Sequence, residues 1–179
     1  MSIDTSVFNA IHGLAGDSVW LDFLGVFFAK YLPYFIIVGF LVGLLFVRDW
    51  RRRFYDFVLI TLSILLARGI ILEFIRFVYY RPRPELVLSV DTLIETPSLP
   101  SFPSGHAAVF FALGAALWFL NKKWGLFLLS AALIVSVGRV FVGVHWPSDV
   151  IVGALIGVFC AYIVKLALPK VSQRPATNN

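Results

Sequence analysis

DVIVGALIGVFCAYIVKLAL, residues 149–168, carries charge only at Asp149 and Lys165. A helix needs about 20 predominantly apolar residues, each rising about 1.5 Å, to cross the hydrocarbon core of a bilayer, and this run supplies them. Working outward from it, comparable apolar runs lie at 124–141, 105–120, 54–75 and 32–47. The composition agrees: 60% of the 179 residues are hydrophobic, 14% are charged, and the mean hydropathy is +0.89, values that exclude an ordinary soluble domain. The sequence therefore predicts an all-α fold, a polytopic membrane helical bundle of about five transmembrane helices in one domain, 1–168. Within it, residues 1–31 read as interfacial helices carrying Asp4, His12, Asp17, Asp22 and Lys30, and 169–179 read as a tail.

The net charge of +5 does not indicate nucleic acid, because most of the basic residues form short clusters between apolar runs. Arg48, Arg51, Arg52 and Arg53 lie in the link after the first run, and Lys122 and Lys123 in the link after the third. The positive-inside rule makes both links cytoplasmic, and Lys170 and Arg174 of the tail fall on the same side. Residues 76–104 and 142–148 are then expected at the outer face, together with the N-terminus. The lone Cys160 permits no intrachain disulfide, and no basic segment followed by an apolar core and a small-residue cleavage site opens the chain, so no removable signal peptide is expected.

Three polar segments interrupt the apolar pattern at that outer end. The first holds Arg76, Arg81 and Arg83, with Pro82 and Pro84 stiffening the chain; guanidinium forks match phosphate oxygens, although arginines at a helix end also serve as headgroup anchors. The second, Pro103-Ser104-Gly105-His106, opens an apolar run. Ser104 reads as its N-cap, Gly105 allows close backbone approach, and the free N–H groups of a helix start favour an anion. His106 there either donates a proton to a leaving oxygen or sits at the interface as a structural histidine. The third segment runs from Gly138-Arg139 to His145 and Asp149. Asp149 either holds one ring nitrogen of His145, leaving the other as a nucleophilic lone pair, or neutralises Arg139.

Taken together, these segments resemble the type 2 phosphatidic acid phosphatase superfamily, whose pattern is a basic residue, six others and Arg-Pro, then Pro-Ser-Gly-His, then Ser-Arg, five others, His, three others and Asp. The match runs from Arg76 to Asp149 in order and spacing. Arg76 stands where the family usually has lysine and Gly138 where it usually has serine; set beside six-span members, the chain starts late and is expected to lack their first helix. The resemblance implies a metal-independent phosphatase without a cofactor, acting on a membrane lipid phosphate. His145 would be the nucleophile that forms a phosphohistidine, Asp149 its orienting partner, and His106 the acid and later the base. Arg76, Arg83, Ser104, Gly105 and Arg139 would bind phosphate.

The resemblance and the outward face favour undecaprenyl diphosphate as substrate. Phosphatidylglycerol phosphate or phosphatidate is the nearer alternative, lipid A phosphate a further one, and a noncatalytic phospholipid-binding or transport protein belongs to a different class. The bilayer is the one partner expected besides the lipid, and nothing in the sequence specifies an oligomer. Arg68 and Glu73 read as an ion pair inside the second run, and His12 as structural. Trp20, Trp50, Trp118, Trp124 and Trp146 read as interfacial anchors, and Leu86, Val87, Leu88, Leu93 and Ile94 as a membrane-lying loop that guides the lipid.

Overall fold

The computed structural model describes residues 2–95 and 100–169; the tail with Lys170 and Arg174, and Pro97-Ser98-Leu99 of the outer loop, lie outside the described residues. The chain forms α1 (Ile3–His12), α2 (Val19–Leu45), α3 (Trp50–Val78), the short α4 (Pro84–Leu88), α5 (Gly105–Leu120), α6 (Lys122–Phe141) and α7 (Pro147–Ala167). Four of these, α2, α3, α6 and α7, are long and apolar enough to cross a membrane, and α5 is a shorter apolar helix of 16 residues.

The N-terminal division differs from the expectation. Only α1 is a separate short helix; residues 19–31 continue without a break into 32–45, so the first long helix starts at Val19 rather than near residue 32. Asp22 and Lys30, expected at the interface, are thus on that long helix. Its continuity passes through a π-helical turn at Phe27–Tyr31, and α3 has a second π-helical segment at Leu65–Ile71.

Local chemistry sets the helix boundaries. Asp49 caps α3, accepting from the Arg51 and Arg52 N–H groups at 2.8 and 3.4 Å, and Asn121 caps α6, accepting from Lys123 and Trp124 at 3.0 and 3.3 Å. Because Asn121 is the whole link between α5 and α6, those helices must run antiparallel. Pro147 begins α7, where its missing N–H costs nothing.

Small residues bring the helices together. On α5, Ala107, Ala108, Ala112, Ala115 and Ala116 are buried, and Gly153 and Gly157 of α7 face the first three of them. A Cβ on Gly153 would stand 2.5 Å from the Ser104 carbonyl oxygen, and one on Gly157 2.5 Å from that of Ala108. Packing of this kind suits a medium that offers no hydrophobic drive between helices. Leu59 and Ile60 of α3, Phe110 and Leu113 of α5, and Val135 of α6 complete the core.

The ends sort by chemistry. Arg51, Arg52, Arg53, Lys122 and Lys123 stand at one end of the bundle, where α3 and α6 begin. At the opposite end, α3 and α6 finish, α5 and α7 begin, and α1 docks through buried Phe8, which packs with Val140 and Trp146. A 16-residue α5 is about 24 Å long, shorter than the roughly 30 Å hydrocarbon core.

Candidate active site

All three polar segments meet at this second end, around a cavity of about 440 Å³ whose walls include Arg76, Arg83, Gly105, His106, Arg139 and His145. Arg83 and Arg139 are buried and Arg76 is largely so, its side chain 9% exposed, and two of the three brace the other segments. Arg76 Nη2 donates to the Pro103 carbonyl at 3.0 Å, and Arg83 Nη1 donates to the Val144 carbonyl at 2.8 Å. Arg139 comes from the last turn of α6. Guanidinium groups this deep require an anionic or carbonyl partner, which separates them from snorkelling anchors.

Ser104 occupies the N-cap position of α5, as expected, but its side chain makes no capping bond. Its Oγ is buried with no hydrogen-bond partner among the described residues, as are Arg139 Nε and Arg76 Nε. Buried donors left in this state cost about 1–3 kcal/mol each, so three of them in the segments that surround one cavity favour an acceptor-rich ligand there. Phosphate oxygens are such acceptors.

His145 sits in the link between α6 and α7, only 2% exposed yet facing the cavity. Its Nδ1 is 3.5 Å from Asp149 Oδ2, a contact longer than a hydrogen bond. Nδ1 is the ring nitrogen that makes this contact, which leaves Nε2 as the other. Burial pushes the His145 pKa down to about 4, with the Asp149 contact acting in the opposite sense, so the ring is neutral at physiological pH. A neutral imidazole retains the lone pair that a nucleophile needs.

Asp149 is fully buried and heavily engaged. Its Oδ2 accepts from the Trp146 N–H at 2.9 Å and from the Ser101 hydroxyl, while Oδ1 accepts from Arg81 Nη1 at 2.7 Å. The ion pair at Asp149 is thus formed by Arg81, and not by Arg139 as the alternative reading had it. Arg81 also donates through Nη2 to Asp4 at 2.5 Å and through Nη1 to Ser148 Oγ at 2.7 Å. Asp4 completes the network by accepting from the Ser148 N–H at 2.9 Å and its hydroxyl at 2.6 Å. Burial raises the Asp4 pKa, but the bonds from Ser148 and Arg81 outweigh it and hold the carboxyl below its ordinary value.

The sequence does not mark Arg81, Asp4, Ser101 or Ser148 as site residues. Arg81 stands between two arginines that it does mark, and no sequence signal shows that α1 would deliver Asp4. Trp146 departs from its expected anchoring role: it is buried, donates Nε1–H to the Pro82 carbonyl at 3.1 Å, and has the Arg81 guanidinium 5.2 Å from its ring centroid. His12 is structural as expected, its Nδ1 bonded to the Phe141 carbonyl at 2.8 Å.

The outer loop is also corrected. Leu86 and Val87 are exposed, whereas Leu88 packs on the Phe8 cluster and Leu93 and Ile94 pack against Ala29, Val142 and Val144. Only the first two face outward, because Leu93 is tied by its N–H to the Val142 carbonyl at 3.2 Å. Arg68 and Glu73 form the expected ion pair, and Glu73 also lies 3.9 Å from Arg76 Nη1.

Residues 57–173 match the PAP2 superfamily. Among curated proteins, undecaprenyl-diphosphatase BcrC of Bacillus subtilis is 31% identical over 88% of this chain and 80% of its own length. The bacitracin transport permease protein BcrC of Bacillus licheniformis is 32% identical over 95% and 83%, respectively. Among solved structures, Aquifex aeolicus LpxE is similar with a TM-score of 0.76 and 26% identity, over 93% of this chain and 96% of that one.

Proposed function

This chain belongs to the PAP2 superfamily and is a multi-pass membrane lipid phosphatase; on that premise we propose that it converts undecaprenyl diphosphate to undecaprenyl phosphate and phosphate, through a phosphohistidine at His145 and without a metal ion. The observation that carries the phosphate-transfer reading is the buried, unpartnered Ser104 Oγ, Arg76 Nε and Arg139 Nε in the segments around the cavity that His145 faces. The choice of lipid is supported by the undecaprenyl-diphosphatase relative from Bacillus subtilis.

In this reading, His145 Nε2 attacks the terminal phosphorus, the bond to the bridging oxygen breaks, and its electron pair passes to that oxygen, which His106 protonates. Asp149 keeps the proton on Nδ1 and stabilises the imidazolium that forms. His106 then takes a proton from water, which attacks the phosphohistidine and releases phosphate. Arg76, Arg83, Arg139, Ser104 and the Gly105 N–H surround the nonbridging oxygens, where fixed donors contribute most to phosphoryl transfer. The basic residues at the opposite end support an extracytoplasmic site.

The test is phosphate release by the detergent-purified protein in EDTA, from undecaprenyl diphosphate and phosphatidylglycerol phosphate side by side. Faster release from the isoprenoid, abolished in His145→Ala, is expected. Preference for the glycerolipid would reassign the substrate. Silence on both would favour the second reading, a transport protein, to which the name of the Bacillus licheniformis relative points.

A further inference from the structure

Two cations in the cavity wall have no part in the site described above: Lys30 of α2 and Arg68 of α3. Each is carried by one of the two π-helical segments, Phe27–Tyr31 and Leu65–Ile71. A π-helical turn inserts an extra residue at the expense of backbone geometry and recurs at functional positions. The local packing is correspondingly close. Ala29, beside Lys30, is fully buried against α6, where a Cβ on Gly138 would stand 3.1 Å from the Ala29 nitrogen. Arg68 lies over the start of α5, so that a Cβ on Gly105 would meet its Nε at 2.9 Å.

Arg68 thereby occupies the side of the cavity next to His106, the group assigned to the leaving oxygen, while His145 lies on the nucleophile side. Phosphoryl transfer is in line, so whatever departs from phosphorus is on the His106 side. When the leaving group is the alkoxide of diacylglycerol, as from phosphatidate, a second cationic cluster there has no phosphate to bind. When it is itself a phosphate, the cluster faces a second anion. The cavity wall also favours greater negative charge: Lys30, Arg68, Arg76, Arg83 and Arg139 face it, with Glu95 as the lining carboxylate among the described residues. Arg68 is partly neutralised by Glu73, but Lys30 has no carboxylate within 4.0 Å among the described residues.

We infer that Arg68 and Lys30 form a second phosphate subsite, which holds the lipid-side phosphate of a diphosphate while the motif residues hold the terminal one. This rests on the roles proposed for His145 and His106, and it makes the two π-helical turns determinants of diphosphate over monoester specificity. Arg68 also stabilises the charge that gathers on the lipid-side phosphate as the bridging bond breaks.

Titration calorimetry of the detergent-purified protein in EDTA, with methylenediphosphonate and with inorganic phosphate, tests this without turnover. The wild-type protein should bind the diphosphonate at least tenfold more tightly than phosphate. In Arg68→Gln that ratio should fall to about twofold, with Arg68→Lys recovering most of it. Lys30→Gln, on an exposed side chain outside the Glu73 pair, should lower the ratio at least threefold and decides the matter if Arg68→Gln does not fold. No preference in the wild type, or a ratio insensitive to both substitutions, overturns the subsite. Because no substrate is consumed, the subsite can stand where undecaprenyl diphosphate proves not to be hydrolysed, and can fail where it is.

Discussion

If Ser104 holds phosphate as proposed, its substitution should separate stability from catalysis. Its buried hydroxyl has no partner among the described residues, so Ser104→Ala should leave the melting temperature of the protein unchanged or slightly raised, since an unsatisfied polar group is removed. The same substitution should lower kcat about a hundredfold, the roughly 3 kcal/mol that one lost oxyanion-type donor costs. Parallel thermal denaturation and steady-state kinetics check both halves. Arg81 should behave in the opposite way. Its loss leaves the fully buried Asp149 carboxylate without its cation, so Arg81→Ala should destabilise by about 3–5 kcal/mol as well as slow turnover.

The pH dependence follows from His145. Its pKa of about 4 is below the ordinary histidine value, so the ring stays neutral until the pH falls through about 4, and the acid limb of kcat/KM should be found there. Asp149 raises that pKa, so in Asp149→Asn the limb should move lower still. At this scale the sequence was informative, because histidine, serine and arginine at fixed spacing advertise their chemistry. It was silent on Arg81, since which of three neighbouring arginines meets a carboxylate depends on the backbone path through Pro82 and Pro84.

Among the elements, the π-helical turns and the start of α2 escaped the sequence reading for one reason. Hydropathy reports that a segment is apolar, but the extra residue of a π turn leaves the apolar run unbroken, and Asp22 and Lys30 made 19–31 look interfacial. Gly138 is likewise explained only by packing: where the family usually has serine, this chain brings α6 against Ala29 and Phe28, with 3.1 and 3.2 Å to a Cβ. Gly138→Ser, although it restores the usual residue, should destabilise the protein by about 1–3 kcal/mol, seen as a lower melting temperature. The α5–α7 contact is tighter still, and Gly157→Leu should prevent assembly of the bundle.

For the whole molecule, the helix runs and the gathering of the motifs at one end were legible in the sequence, because short links force successive helices antiparallel. The docking of α1 was not, since its Phe8 contacts come from distant parts of the chain. The proposed orientation has a direct check. Cysteine at Leu86, which is 67% exposed near the site, should react with a membrane-impermeant maleimide on intact cells, whereas cysteine at Lys122 should react only after permeabilisation. The native Cys160 is buried and should not contribute.

The central claim is that His145 carries the phosphoryl group. Acid-stable and acid-labile phosphate on the protein can be separated after rapid quenching of a reaction with undecaprenyl diphosphate labelled at its terminal phosphate. Acid-labile, base-stable label on a peptide containing His145, absent from His145→Ala and accumulating in the presence of EDTA, is the predicted result. Turnover at full rate in His145→Ala, or label recovered only on another residue, would contradict the account.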